Sequence, residues 1–229
     1  MTQKLNATQT IASVLSLLIT LDKRFFITLL ALALTIATTP PHATQVAPYV
    51  PAQHIPCEQP PSDNTRTELN GNALNQRTLW MLQLARALYH GPGDLLRVVQ
   101  GSYVDSLAGS FGTHAGGGAV DISIRARATN KVVSGAEAAR MVKALRQAGF
   151  AAWLRLKGDL KQFDGVHIHA IAIGDHELSN AARAQLDGPE GYFRGLDGVP
   201  PAEGGPKQDR YGGPIVCGWM AAFGFRDLR

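Results

Sequence analysis

Gly112-Thr113-His114-Ala115-Gly116-Gly117-Gly118-Ala119-Val120-Asp121-Ile122-Ser123-Ile124 joins a glycine run to an alternating strand. From Ala119 onward the larger aliphatics Val120, Ile122 and Ile124 fall on one side and Asp121 on the other, because successive strand side chains point to opposite faces. Asp121 is thereby aimed away from the apolar side. The glycines ahead of it permit a tight reversal, so His114 can turn back toward Asp121 from a separate piece of backbone.

Working outward, Met81, Leu84, Ala85 and Leu88 fall at helical spacing and predict a helix from Asn75 to Tyr89 that Gly91-Pro92-Gly93 ends. Leu95 to Gln100 reads as a strand. Ser134 and Glu137 form a capping box ahead of Ala138, Met141, Val142 and Leu145, which predicts a second helix stopped by Gly149. Ala151 to Leu156 and Val166 to Ile173 are strands by their apolar and β-branched content. A short helix over Leu178 to Leu186 follows, and the Gly- and Pro-rich stretch from Gly188 to Pro214 reads as a long loop wrapping back over the domain. The order helix, strand, strand, helix, strand, strand, helix predicts an α+β fold with a small antiparallel sheet flanked by helices.

The chain has 229 residues, 45% of them apolar, enough for one well-packed core. Its formal charge is +4, of which Lys4, Lys23 and Arg24 against Asp22 carry +2. No basic run follows residue 45, so nucleic acid is not an expected partner. Lys23 and Arg24 precede the apolar run Phe25 to Ala37, and Thr-Thr-Pro-Pro-His-Ala follows. That pattern reads as a signal peptide over residues 1–43, with Met1 to Leu21 a possible over-long start, and it points to a secreted, periplasmic or cell-wall location. The apolar run is shorter than the ~20 residues a spanning helix needs, so no stable membrane insertion is expected once the signal is removed. Residues 44–67 read as an extended linker and 68–229 as the domain. The two cysteines, Cys57 and Cys217, fit no metal-ligand spacing and are expected to form one disulfide. Closing so long a loop is worth on the order of 4 kcal/mol in the chain-entropy picture.

Three of the seven histidines are placed for chemistry. His114 precedes the glycine run, and His167 and His169 share one face of the Val166 strand, with Asp164 at its mouth. Zinc accepts imidazole nitrogen and carboxylate oxygen, and a catalytic site uses three protein ligands with a fourth position for water, whose pKa falls toward neutrality. His114, Asp121 and one of the two strand histidines supply that set, and Asp164 is placed to accept a proton.

Gly112 to Asp121 resembles the His-x-x-Gly-x-Ala-x-Asp motif of zinc D-alanyl-D-alanine carboxypeptidases and the related L-alanyl-D-glutamate endolysins, which share the Hedgehog/DD-peptidase fold. Gly117, Ala119 and Asp121 match it from His114, and Phe163-Asp164-Gly165-Val166-His167 is similar to the second motif, an acidic residue three positions before a zinc-binding His. The resemblance covers about Leu95 to Asp175. It implies zinc on His114, Asp121 and His167, with Asp164 as general base. His169 points the same way as His167, so it is either the alternative ligand or a group that binds substrate. The implied activity is hydrolysis of peptide bonds in peptidoglycan stem peptides. A non-catalytic, zinc-containing cell-wall-binding module of the same fold is the alternative. Gly101-Ser102-Tyr103 stands where the family often has Gly-Tyr-Arg. This makes Tyr103 a candidate substrate contact, and without the Arg a bond inside a peptide is the expected substrate.

Overall fold

The computed structural model describes residues 56–105, 109–161, 163 and 165–229. The expected signal peptide, the first part of the linker and Asp164 lie outside the described residues. Among the described residues, no helix is long and apolar enough to cross a membrane.

A hairpin opens the fold. Strands β1 (Arg66–Leu69) and β2 (Asn72–Asn75) pair antiparallel around Asn70-Gly71, both at positive φ, 54° and 75°. Asn-Gly accepts that left-handed backbone readily, which is why it makes tight hairpin turns. The hairpin starts at Arg66, inside the stretch read from the sequence as linker. Helix α1 (Gln76–Leu88) follows at once, capped by Asn75, whose side chain accepts from Thr78 N at 2.9 Å. Four strands form the main sheet: β3 (Val98–Gln100), β4 (Ala119–Ile122), β5 (Phe150–Arg155) and β6 (His167–Ala172). Their order is β3-β4-β6-β5, antiparallel throughout. The α+β class with a small antiparallel sheet is therefore as expected. β3 is shorter than the sequence suggests because Asp94 builds a turn, accepting from Leu96 N at 3.2 Å.

Helix α2 (Gly135–Gln147) is capped by Ser134, which accepts from Glu137 N at 3.2 Å. Only half of the expected capping box forms, since the Glu137 carboxylate turns to the Tyr89 phenol and to Arg140. Helices α1 and α2 cover one sheet face, burying Val120, Ile122, Ile168 and Ala170 against Leu82, Met141 and Leu145. Each such aliphatic, fully buried, contributes roughly 1.5–3 kcal/mol. Helix α3 (Asn180–Asp187) and the C-terminal segments cover part of the other face, where Ala119, Trp153 and Ile171 meet Leu186, Tyr192 and Met220. The remainder of that second face is polar.

Two buried guanidinium groups fasten the wrapping segments. Arg146 pairs with Asp209 at 2.6 Å and donates to the carbonyls of Ala152 and Gly213, while Arg77 donates to Pro60, Pro61 and Ile173. Cys57 and Cys217 form a disulfide, with Cα atoms 5.2 Å apart and a sequence separation of 160. Reduction should lower stability by about 4 kcal/mol. Denaturant unfolding with and without reductant measures this, and an unchanged midpoint would show that the bridge constrains nothing.

Candidate metal centre

The polar half of the second face is set by register. Asp121 on β4 pairs with His169 on β6, which pairs with Trp153 on β5; in the next row His167 pairs with Arg155. Cross-strand neighbours on one face are in contact, so His167, His169 and Asp121 converge without any loop having to place them. His114 reaches them from a single 3₁₀ turn, Thr113–Ala115. The glycine run that follows is tightly packed: a Cβ at Gly116 would meet the Glu177 carbonyl oxygen at 2.1 Å, and Gly118 has φ of 77°.

The ligand atoms of His114, Asp121 and His169 lie within 4.8 Å of one another, and all three residues are buried. His114 Nε2 is 3.4 Å and His169 Nδ1 2.8 Å from Asp121 Oδ1. Donors held about 2.0–2.2 Å from one ion sit roughly 3–3.5 Å apart, so the trio is spaced to hold a metal ion. Sequence spacing from Asp164 singles out His167, whereas this compact set contains His169. His167 stands beside it, Nε2 3.5 Å from the other carboxylate oxygen, Oδ2.

The outer hydrogen bonds decide which nitrogens face inward. His114 Nδ1 lies 2.8 Å from the Gly101 carbonyl oxygen and His167 Nδ1 3.2 Å from that of Gly165. A carbonyl only accepts, so both rings carry hydrogen on Nδ1 and turn the Nε2 lone pair toward Asp121. His169 is held the opposite way round. Gln185 on α3 donates its amide to the Gly198 carbonyl at 2.8 Å, which leaves Oε1 facing His169 Nε2 at 3.1 Å. His169 therefore donates from Nε2 and presents Nδ1 to Asp121. Burial pushes the His169 pKa down to about 4 even though Asp121 pulls it up, so the ring is neutral. The result is three imidazole nitrogens, His114 Nε2, His167 Nε2 and His169 Nδ1, gathered around one carboxylate. That arrangement could hold a metal ion.

Asp121 stays ionised: burial opposes the charge, but its contacts with His114 and His169 outweigh that and hold it far below the usual carboxylate range. For His114, burial likewise opposes protonation and the Asp121 charge overcomes it, so the pKa is raised. A metal-free site thus takes up a proton at His114, which a metal ion displaces. A Gln185→Leu variant should hold the metal about 10- to 100-fold more weakly, the usual cost of losing an outer partner of a ligand. Competition with a chelating dye measures it, and an unchanged affinity would mean that His169 does not need Gln185.

A cleft opens over the centre, lined also by Phe111, Leu160, Phe163 and Pro200. The Phe163 ring stands edge-on to His167 with centroids 5.3 Å apart. Tyr103 is not among the cleft-lining residues. Its phenol, raised to about 12 by burial and by Glu177, donates to Glu177, and Arg66 covers its ring. Gln185 and Gly198 went unnoticed in the sequence, because nothing local marks a residue that acts through a histidine 16 positions away. No family model, curated protein or solved structure matches the chain.

Proposed function

We propose that the chain is an exported zinc metallopeptidase of the Hedgehog/DD-peptidase kind that hydrolyses peptide bonds in peptidoglycan stem peptides. The observation that carries this reading is the convergence of three imidazole nitrogens on one ionised carboxylate at the floor of a cleft. The residues that carry the motif resemblance, His114 and Asp121, belong to that set. A zinc ion supplies Lewis acidity and a water whose pKa falls toward neutrality. His114 Nε2, Asp121 and His169 Nδ1 would hold it. Nitrogen and oxygen donors of this kind suit zinc better than calcium or magnesium, which prefer oxygen alone.

His167 then has a different part. Its Nδ1 hydrogen is tied to Gly165, and its Nε2 borders both the cleft and the free carboxylate oxygen. A group so placed orients the attacking water or steadies charge developing on the substrate oxygen. Asp164, by its place in the second motif, is the candidate general base. The test is digestion of purified peptidoglycan by the mature, zinc-loaded protein, with products identified by mass. Stem-peptide fragments that disappear on chelation and return with zinc are expected, and an unaltered substrate would reject the peptidase reading.

A further inference from the structure

Cations that are scattered along the sequence meet at one edge of the fold. Ahead of β3, the turn at Gly91-Pro92 accepts two hydrogen bonds from Arg127, whose backbone N donates to the Pro92 carbonyl at 2.9 Å and whose Nη2 donates to that of Gly91 at 3.0 Å. Arg127 belongs to the loop that leaves β4, where Arg125 Nη1 donates to the Asn130 carbonyl at 2.8 Å and Lys131 follows. The side-chain oxygen of the same Asn130 accepts from Arg97 Nη1 at 2.5 Å. On the other side of Gly91, His90, Arg140 and Lys143 line one hollow between α1 and α2. Arg97 is half-buried, and the other five Lys and Arg side chains are exposed.

Little opposes this charge. Residues 89–97, 125–132 and 137–143 carry six Lys or Arg against two carboxylates, Asp94 and Glu137. Asp94 accepts from Leu96 N, and the buried Glu137 is shared by the Tyr89 phenol and Arg140. The patch therefore holds a surplus of four positive charges, more than the +2 that the chain carries past residue 45. A surplus this local attracts a polyanion. No basic run marks it in the sequence, since its members come from three segments.

Apolar side chains in the same place narrow the partner. Val132, which pairs with Arg125, is 55% exposed, and Val99, two residues after Arg97, is 53% exposed; they are the most exposed large hydrophobic side chains among the described residues. A soluble polyanion offers them nothing, whereas a bilayer presents phosphate headgroups to cations and a hydrocarbon boundary to aliphatics. Arg97 and Arg125 stand three and four residues from the cleft positions Gln100 and Asp121, roughly 10–14 Å along their strands, so the patch lies outside the cleft.

We propose that this edge docks on the surface of a bilayer with anionic headgroups, the cations taking headgroup phosphates and Val99 and Val132 sinking shallowly into the boundary, with no segment spanning it. The proposal depends on neither the metal centre nor the peptidase reading.

The test is cosedimentation of the mature protein with vesicles of phosphatidylcholine alone and of phosphatidylcholine mixed with phosphatidylglycerol. Only the anionic vesicles should bind it, and added salt should weaken that binding. One Lys or Arg at such a surface is worth about fivefold, so Arg125→Gln, Arg127→Gln and Lys131→Gln together should cost about 100-fold. Removing three exposed cations elsewhere, by Arg183→Gln, Arg194→Gln and Arg226→Gln, should cost less than about fivefold. If the first triple variant fails to fold, Lys131→Glu with Lys143→Glu replaces it, since those side chains hold none of the loop's hydrogen bonds, and it should lose at least about 25-fold. Val99→Ser with Val132→Ser should cost about tenfold on anionic vesicles and nothing on soluble inorganic polyphosphate. Equal binding to both kinds of vesicle, or an equal loss in the two triple variants, would overturn the proposal. Vesicle binding untouched by the two serines would assign the patch to a soluble polyanion instead.

Discussion

Asp121→Ala should abolish zinc binding and, with it, the zinc-dependent rise in melting temperature. Asp121 is in contact with all three histidines. It supplies the only negative charge among the inward-facing groups described. Without it, zinc would face imidazoles alone, and His114 and His169 would lose the contact that fixes their spacing. The loss should exceed the 10- to 100-fold that an outer partner such as Gln185 costs. A ligand present at 1,000 times its Kd stabilises the fold by about 4 kcal/mol, so thermal unfolding with and without added zinc reads the effect directly. Wild type should shift and Asp121→Ala should not. A variant that still gains stability from zinc at wild-type concentrations would place the metal elsewhere.

The second large effect separates binding from chemistry. His167→Ala and Asp164→Asn should each keep zinc and fold, yet cut stem peptides 10²- to 10⁴-fold more slowly, the range expected when a positioned proton-transfer group is removed. His167 holds no atom of the compact donor set, and its loss leaves Asp121 Oδ1 with both of its neighbours. The asparagine at 164 keeps the size of the side chain and removes only the basic oxygen. Rates by mass spectrometry, with zinc content measured on the same samples, check both variants. Full activity in both would strip these residues of their roles, whereas an inert wild type that still binds zinc and peptidoglycan would favour a binding module of the same fold.

The sequence disclosed the strands and helices that carry the site because each has a clear period or cap. Val120, Ile122 and Ile124 alternate against Asp121, and all three are buried in one core although β4 itself ends at Ile122. His167 and His169 on one face followed from the two-residue repeat of a strand. The sequence favoured His167 over His169 as the ligand by its spacing from Asp164, although both point the same way, whereas the compact set contains His169. Register settles the geometry: Asp121 pairs with His169, and His167 lies one row along, opposite Arg155. The hairpin at Arg66 was legible in Asn70-Gly71, but the polar composition around it masked the signal. The burial of Arg155 was not legible, because nothing local in an apolar strand announces the loop at Asp197 and Gly198 that closes over its end.

The most direct test of the centre is elemental analysis of three proteins purified without added metal: wild type, His169→Ala and His167→Ala. One zinc per chain in wild type and in His167→Ala, with none in His169→Ala, is the predicted result. Zinc retained by His169→Ala and lost from His167→Ala would contradict the donor set, and no zinc in wild type would contradict the metal centre altogether.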